Sequence, residues 1–278
     1  MTERVESPVI DGPTPAPSSS SAALVERRGN VALITINRPE ARNAVNAAVS
    51  IAVGDALDAA QRDPEVRAVV ITGAGQSFCA GADLKAISRR ENLFHPERAE
   101  WGFAGYVQHY IDKPTIAAVN GTALGGGTEL ALASDLVVAE ERTKFGLPEV
   151  KRGLIAAAGG VFRIVDHLPR KVAMELLFTG EPMSSADAIK WGLINQVVPD
   201  GTVVDAALAL ADRITCNAPL AVWASKRVAN GVDDGVITGD EPGWSRTMRE
   251  ISGVLRSEDA TEGPRAFAEK RVPVWQAK

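Results

Sequence analysis

Two glutamates in the middle of the chain are set in turns that contain glycine or proline. Glu129 lies in ALGGGTEL, and Glu149 lies twenty positions later in FGLPEV. Two carboxyl groups held against one substrate can divide a proton transfer, because one can carry the proton while the other stays ionised and orients a water molecule. Surface or helix-capping glutamates are the alternative, since acidic residues are common near helix starts.

Two glycine-bearing turns offer the backbone donors that such chemistry needs. Residues 125–127 are three glycines at the predicted start of a helix, and a second turn, GQSFCAGADLK at 75–85, also leads into a helix start. The first N–H groups of a helix have no partner inside the helix, and glycine lets another atom approach them closely. An oxyanion hole requires about two such donors. A tight structural turn is the alternative for each segment.

Short apolar runs rich in β-branched residues predict the buried strands that would hold these turns. They span residues 31–37, 68–73, 115–120 and 135–139. Helices are predicted between them, one at 46–62 with Asn46 as its N-cap and one at 126–134. Alternating strands and helices indicate an α/β core in which the loops at the strand ends carry the site.

From about residue 160 the pattern becomes nearly all helical. The segment NAPLAVWASKRVANG predicts a helix that is capped by Asn217 and has Pro219 in its first turn. We therefore predict a core at 24–215, which contains the site, and a helical C-terminal subdomain at 216–278.

The composition restricts the class of partner. The chain has 278 residues, 45% of them hydrophobic, which is enough for a sizeable core, and its net charge of -5 weighs against nucleic acid or an anionic membrane surface. No apolar run approaches the roughly 20 residues that cross a bilayer. A small-molecule substrate is the expectation.

The cysteine content and the first residues bear on the environment of the protein. Only Cys79 and Cys216 are present, without metal-ligand spacing to the histidines, which fits a reducing cytoplasm and predicts no metal site. Residues 1–23 are rich in proline and serine, so we predict a disordered tail there. Acidic residues and the absence of a continuous apolar core distinguish this tail from a transit or signal peptide.

Several of these segments together resemble one known family. FCAGADLK, KPTIAAVNGTALGGGTELALASDLVVA, KFGLPEVKRGL and AAGG follow the order and spacing of the enoyl-CoA hydratase and isomerase family, the crotonase superfamily, from about residue 24 to residue 273. The resemblance implies a crotonase-like spiral core of ββα repeats with a helical C-terminal trimerisation region, assembled as a homotrimer or as a homohexamer. It implies an acyl-CoA thioester as substrate and no metal or redox cofactor.

The resemblance also assigns roles to individual positions. The residue after AG in the family's FxAGxDL motif, here Ala82, and the middle glycine of its GGGxE motif, here Gly126, donate N–H groups to the thioester carbonyl. The glutamates of the GGGxE and FGxPE motifs, here Glu129 and Glu149, hold the water of hydration, and the second is credited with protonating Cα. Family members that only isomerise a double bond commonly keep one of the two, so the presence of both favours water chemistry.

Contacts to coenzyme A follow from the same resemblance. The family places the adenine and pantetheine end along one backbone segment, places basic side chains near the phosphates, and closes the site with residues from a neighbouring subunit. The corresponding candidates are Arg42, Ala80, Ala82, Asp83, Leu84, Lys85, Gly125, Phe267 and Lys270. Solvated lysines, a packed aromatic ring and, for Asp83, a helix cap are the alternatives.

Other chemistries have less support. Cys79 adjoins the proposed oxyanion turn, but no histidine is placed beside it, so a small buried residue is the expected role. The GxSxG elbow of serine hydrolases is absent. The run that starts at Gly73 has Phe78 where the third glycine of a dinucleotide fingerprint would fall.

The acyl group cannot be identified from the sequence. Where the family often has a Pro-Gly pair, this chain has Ala156 and Ala157, in a turn that borders the acyl pocket, and the aromatic residues of 86–112 would shape that pocket or fill the core. Three functions therefore remain open. They are a 2-enoyl-CoA hydratase or a dehydratase of a carnitinyl or other 3-hydroxyacyl ester, a Δ3,Δ2-enoyl-CoA isomerase, and, more distantly, a crotonase-fold protein that binds RNA.

Overall fold

A computed structural model describes residues 21–278 of the chain. The strands are β1 Ala23–Arg28, β2 Val31–Ile36, β3 Ala68–Gly73, β4 Ser77–Cys79, β5 Thr115–Val119, β6 Thr122–Leu124, β7 Leu136–Glu140, β8 Lys144–Gly146, β9 Met183–Ser184, β10 Gln196–Val198, β11 Val232–Asp233 and β12 Val236–Ile237. The α-helices are α1 Ala47–Arg62, α2 Leu84–Ser88, α3 Gly126–Ala133, α4 Gly160–His167, α5 Arg170–Thr179, α6 Ser185–Lys190, α7 Val203–Thr215, α8 Pro219–Ala229, α9 Glu241–Val254 and α10 Glu258–Ala268.

The main sheet consists of β1, β2, β3, β5, β7 and β10 in that order. Except for the antiparallel hairpin β1–β2, its strands are parallel. Both faces are covered, because alternate side chains of the central strands pack into two separate apolar clusters, one shared with α1 and the other with α7. This explains why the central strands are continuous apolar runs without polar alternation.

A second sheet has the same strand order as part of the main sheet, because β4, β6 and β8 follow β3, β5 and β7 along the chain. Its order is β4-β6-β8-β9, with β4, β6 and β8 parallel. Each of these follows a strand of the main sheet directly along the chain, and α2 and α3 come after β4 and β6. The chain therefore winds as a spiral of ββα turns, which confirms the predicted architecture.

The predicted strands and the two core helices are confirmed, and one cap is wrong. The Asn46 side chain accepts a hydrogen bond of 3.1 Å from the N–H of Val49 at the start of α1, as predicted. The N-cap of α8 is Ala218, whereas the amide of Asn217 donates to the carbonyl of Arg213 in the helix before. Pro219 occupies the first turn of α8 as predicted. Asn217 therefore closes α7 instead of opening α8.

The region after residue 160 is largely helical, with the short strands β9 to β12 between its helices. Helices α9 and α10 fold back on this same chain. The predicted tail at 1–23 falls mainly outside the described residues, and β1 begins at Ala23. Among the helices that the structure describes, none is long and apolar enough to span a membrane.

Candidate active site

Glu129 is a buried residue in the first turn of α3. Only 4% of its surface is exposed, and its Oε1 accepts a hydrogen bond of 2.9 Å from the N–H of Gly160. Gly160 is the first residue of α4, so the carboxylate faces the positive end of that helix. Glu129 therefore sits between two helix starts, so the interpretation as a surface glutamate does not apply, and its hydrogen bond with Gly160 also caps α4.

Glu149 lies in a 3-10 turn at Pro148–Arg152, directly after β8. Gly125 has a φ of 55° and a ψ of -124°, a conformation that requires glycine, and an added Cβ there would lie 2.7 Å from Oε1 of Glu149. Its Oε2 is buried and has no hydrogen-bond partner among the described residues. An oxygen of this kind is suited to a hydrogen bond with a substrate or a water molecule.

Both carboxyl groups have a raised pKa. Burial raises the pKa of Glu129, and repulsion from Glu149 raises it further, while the N–H groups of Gly160 and Ala158 and the charge of Arg163 act in the opposite direction. Burial raises the pKa of Glu149 as well. Because two carboxyl groups that interact this strongly release their protons as a pair, the pair can hold one proton near neutral pH.

The two proposed oxyanion donors, Ala82 and Gly126, lie in turns that touch each other. Ala82 follows β4 and Gly126 follows β6, and these strands are neighbours in the second sheet. An added Cβ at Gly81 would lie 3.1 Å from the nitrogen of Gly126. Among the described residues neither donor amide has a hydrogen-bond acceptor. The family motifs predict that these two positions act together, and the structure places them side by side.

The orientation of Ala82 follows from its bridge to Val45. The carbonyl of Gly81 accepts from the N–H of Val45, and the N–H of Asp83 donates to the carbonyl of Val45. Since groups of adjacent residues in extended backbone point to opposite sides, the N–H of Ala82 points away from Val45. It is therefore available to a ligand.

Gly127 is the tightest point of the site, and we expect Gly127→Ala to destabilise the fold. Its added Cβ would lie 2.0 Å from the carbonyl oxygen of Cys79, which is backbone and cannot rotate away. The free energy of unfolding should fall by about 2 kcal/mol or more, within the usual range for overpacking. Chemical denaturation measures this value.

Gly253→Ala is the matched control for this substitution. Gly253 is an exposed residue of α9 with no atom within 4 Å of its added Cβ. Alanine is the better helix former, so this variant should be stabilised by up to about 1 kcal/mol. Equal stability of the Gly127→Ala variant and the wild type would show that the β4–α3 contact can relax.

Cys79 is a buried thiol and not a nucleophile. Burial raises its pKa to about 12, so the thiol stays protonated at neutral pH. This agrees with the role expected from the sequence.

The candidates for coenzyme A fall into two groups, and the first lies around the turn after β4. The N–H of Ala80 donates to the carbonyl of Arg42, and Arg42, Leu84 and Lys85 are exposed beside this turn. Asp83 is the N-cap of α2 and forms an ion pair of 3.0 Å with Arg38, so its side chain has a structural role. The binding roles of this group stay predictions.

Phe267 and Lys270 form the second group, at the end of α10. The ring of Phe267 is half exposed and lies 4.1 Å from the guanidinium of Arg152 in the same chain. Helix α10 packs closely on the turn that carries Glu149, since an added Cβ at Gly263 would lie 2.1 Å from the carbonyl oxygen of Arg152. Their action from a neighbouring subunit stays a prediction.

A cavity of about 460 Å³ opens beside Glu149. Most of its lining is apolar, and the polar side chains are Glu149, Arg170, Arg246, Thr247 and Glu250. The apolar lining residues are Leu147, Val150, Ile155, Ala156, Val161, Phe162, Val165, Met174, Leu177 and Phe178. An apolar cavity next to a pair of carboxyl groups is suited to the acyl part of a substrate.

The aromatic residues of 86–112 do not line this cavity, so their predicted role in the pocket is wrong for it. Phe103 packs on Gly126, where an added Cβ would lie 2.3 Å from its ring. Tyr106 is buried and its hydroxyl donates to Ser134, while Trp101 stacks on His109 with ring centroids 4.0 Å apart. Core packing, the alternative interpretation, explains these three rings. Ala156 does border the cavity, as expected.

Two groups near Glu129 were not predicted from the sequence. These are the N–H of Gly160 and the side chain of Arg163, which forms an ion pair of 2.5 Å with Asp240. The sequence did contain a signal for Gly160, because the glycine pair Gly159 and Gly160 comes directly before a segment of helical apolar periodicity and so marks the start of α4. No local signal joins Arg163 to Asp240, which is 77 positions away.

Comparison with known proteins identifies one family and several relatives that match most of the chain. The sequence model of the family described as Enoyl-CoA hydratase/isomerase matches residues 26–278. The carnitinyl-CoA dehydratase of Salmonella agona is 42% identical over 265 residues, which cover 93% of this chain and 100% of that protein. The carnitinyl-CoA dehydratase of Salmonella gallinarum has the same identity and coverage.

Solved structures give the same result. The crystal structure of carnitinyl-CoA hydratase from Mycobacterium avium is 77% identical, with a TM-score of 0.92 over 93% of this chain and 99% of that one. The crystal structure of enoyl-CoA hydratase from Mycobacterium tuberculosis is 45% identical, with a TM-score of 0.73 over 93% of this chain and 100% of that one. The similarity thus covers nearly all described residues.

Proposed function

Because the chain belongs to the enoyl-CoA hydratase/isomerase family, we propose that it is an acyl-CoA hydro-lyase that adds water reversibly across the double bond of a 2-enoyl-CoA. The observation that carries this proposal is the pair of carboxyl groups of raised pKa, the buried Glu129 and the half-buried Glu149, the second of which lines an apolar cavity. Coenzyme A enters as part of the substrate, and the reaction is redox-neutral.

The two glutamates have different surroundings, which supports different roles. Glu129 accepts a hydrogen bond from the N–H of Gly160, and this donor favours its ionised form. Glu149 has a buried oxygen without a partner, which favours the protonated form for that carboxyl group. In the proposed mechanism Glu149 therefore carries the proton and Glu129 orients the water.

The bond changes of hydration follow from these roles. Glu149 gives its proton to Cα, the water oxygen forms a bond to Cβ, and the proton that the water loses returns to Glu149. Negative charge develops on the thioester oxygen as the bond to Cβ forms. The amides of Ala82 and Gly126 are placed to stabilise this charge, which is greatest in the enolate-like transition state.

The cavity supports an uncharged, apolar acyl group. Its walls are mostly aliphatic, and burial of apolar surface is the main interaction they can provide. A carnitinyl ester is the second candidate, because three of the four relatives named above carry that substrate in their names. Such an ester brings a trimethylammonium group, which proteins usually bind on aromatic faces.

Two aromatic rings near this cavity already have the guanidinium of Arg163 against them. Phe162 and Trp244 meet edge to face with centroids 5.0 Å apart, and the guanidinium of Arg163 lies 5.5 Å from the first ring and 5.3 Å from the second. A second cation on these rings would be repelled by the first. This arrangement supports the apolar acyl group over the carnitinyl ester.

A matched pair of substrates tests this choice. In crotonobetainyl-CoA the acyl chain ends in trimethylammonium, and in 5,5-dimethylhex-2-enoyl-CoA a tert-butyl group of the same shape takes its place. Loss of the conjugated thioester absorbance should give a kcat/KM for the neutral ester that is about 10²-fold higher, equal to about 2.7 kcal/mol. A higher value for the cationic ester would establish the carnitinyl reaction, and no turnover of either ester or of straight-chain enoyl-CoA would refute the hydro-lyase.

Isotope labelling separates hydration from double-bond isomerisation. In water enriched in 18O, we expect the product to gain one labelled oxygen, because water supplies the hydroxyl group. An isomerase would return a product of unchanged mass. Mass spectrometry of the acyl-CoA product gives the answer.

The raised pKa values predict the pH dependence of the reaction. The active form holds one proton between Glu129 and Glu149, so kcat/KM should fall on the acid side when Glu129 is protonated and on the alkaline side when the remaining proton is lost. Both limbs should lie above pH 4.3 or so, the ordinary pKa of a glutamate, since burial raises both values. A kcat/KM that is constant from pH 5 to pH 10 would contradict this pairing.

A further inference from the structure

Arg163 is a buried arginine near the glutamate pair that the proposed reaction does not use. It lies in α4 with 9% of its surface exposed. Its Nη2 donates to Asp240 at 2.5 Å and to the carbonyl of Val107 at 2.9 Å, and its Nε donates to Asp240 at 3.1 Å. Its Nη1 is buried and has no hydrogen-bond partner among the described residues. A buried charge held so firmly has a defined position.

Two glycines bring this guanidinium close to Glu129. Gly159 has a φ of 101°, and its added Cβ would lie 3.1 Å from Nη1 of Arg163. The next residue, Gly160, donates its N–H to Glu129, and an added Cβ there would lie 2.9 Å from Oε1 of Glu129. Arg163 and Glu129 therefore lie on two sides of one glycine turn, with no side chain from that turn between them.

The titratable groups around Glu129 come from three elements. Glu149 contributes a carboxyl group from the turn after β8, Arg163 contributes a positive charge from α4, and Cys79 contributes an uncharged, protonated thiol from β4. Asp240, which precedes α9, lies behind Arg163 and partly compensates its charge. Arg163 is thus the positive charge acting on Glu129, and Asp240 limits its effect.

We propose that Arg163, held in place by Asp240, is a positioning residue that keeps Glu129 ionised and so leaves the proton of the pair on Glu149. The functional meaning of this role rests on the proposed hydro-lyase reaction. The placement of the proton on Glu149 does not rest on that reaction, because it is a property of the protein without substrate.

Infrared spectroscopy tests the proposal without substrate. The carbonyl band of a protonated carboxyl group is followed against pH, and the Glu129→Gln and Glu149→Gln variants assign it. In Arg163→Met the ionisation of Glu129 should move to higher pH by about 1 unit, at the low end of the effect of a nearby opposite charge. In Asp240→Asn it should move to lower pH, because Arg163 is no longer compensated.

The opposite signs distinguish positioning from a structural role. If Arg163 and Asp240 had only a structural role, both variants would loosen the fold and would have a lower Tm. The ionisation of Glu129 would then move in the same direction in both variants or would not move. Either of these two titration results would overturn the proposal. Arg163→Lys keeps the charge and should restore most of the wild-type titration. Arg249→Met, which removes an exposed arginine of α9, is the control and should leave the band unchanged.

Kinetics then connects this role to the reaction. The acid limb of kcat/KM should move with the infrared titration, upward in pH for Arg163→Met and downward for Asp240→Asn. If the infrared shifts occur in a protein that hydrates no enoyl-CoA, the positioning role stands and the proposed function fails. If hydration proceeds but the titration is insensitive to both substitutions, the proposed function stands and the role of Arg163 fails.

Discussion

Glu149→Gln is expected to lower the kcat for hydration by a factor on the order of 10² to 10⁴, the usual contribution of a general acid. The amide keeps the size of the carboxyl group but cannot give a proton to Cα. KM should change little, because substrate binding depends on the cavity and on the backbone donors. Steady-state kinetics at the pH optimum measures both constants.

The control for this substitution is Glu181→Gln. Glu181 is exposed and forms an ion pair with Lys151, two residues from Glu149 in sequence. Its replacement should leave kcat within a factor of about two, because exposed ion pairs contribute little. A Glu149→Gln enzyme with near-normal hydration would move the acid to another group, and Glu129 would be the next candidate.

Glu129→Gln is expected to lose activity and gain stability. The loss in kcat should again be on the order of 10² to 10⁴, because a neutral amide cannot orient the attacking water as a carboxylate does. The gain arises because the pKa of Glu129 is higher in the folded protein than in the unfolded chain. Ionisation therefore costs the folded state free energy, and glutamine removes this cost.

The sign of this effect sets its pH dependence. Below a pH of about 4.3, the unfolded value, the carboxyl group is protonated in both states and the two proteins should be equally stable. As the pH rises through the raised folded value, the wild type loses stability and the variant does not. At pH 9 the variant should melt about 2 to 4 °C higher, which corresponds to roughly 1 kcal/mol in a domain of this size.

An exposed glutamate provides the comparison for the stability measurement. Glu175 lies on the surface of α5, and Glu175→Gln should give the same Tm difference at pH 4.5 and at pH 9. A Glu129→Gln protein that is less stable than the wild type at pH 9 would mean that its hydrogen bond to Gly160 requires the charge. The buried carboxylate would then stabilise the fold instead of straining it.

The main features of the fold could be predicted because they depend on local patterns. β-branched runs marked the strands around Val31 and Ala68, and Asn46 opened α1, since a side chain that accepts from the helix start is a local signal. The motif positions Ala82 and Gly126 also came together as expected. For the strands and the cap of α1, residues close in the sequence determine the structure, whereas Ala82 and Gly126 are far apart in the sequence and were paired through the family motifs.

The errors have two causes, which are a competing local hydrogen bond and contacts between residues far apart in the sequence. Asn217 has the composition of a cap, but the carbonyl of Arg213 lies within its reach and competes for its amide. The aromatic rings around Phe103 pack into the core, and α9 supplies part of the cavity wall in their place. The pairing of Arg163 with Asp240 is likewise set by tertiary structure alone.

The spiral has a consequence for how this site changes over evolution. β4, β6 and β8 are adjacent and parallel, and the residues after them are Ala82, Gly126 and Glu149. The first winding therefore carries Ala82, the second carries Gly126 and Glu129, and the third carries Glu149, with neighbouring strands about 4.8 Å apart. In the proposed mechanism, a mutation in the third winding replaces the acid and leaves both amides in place, so new reactions on the same stabilised enolate can be acquired one winding at a time.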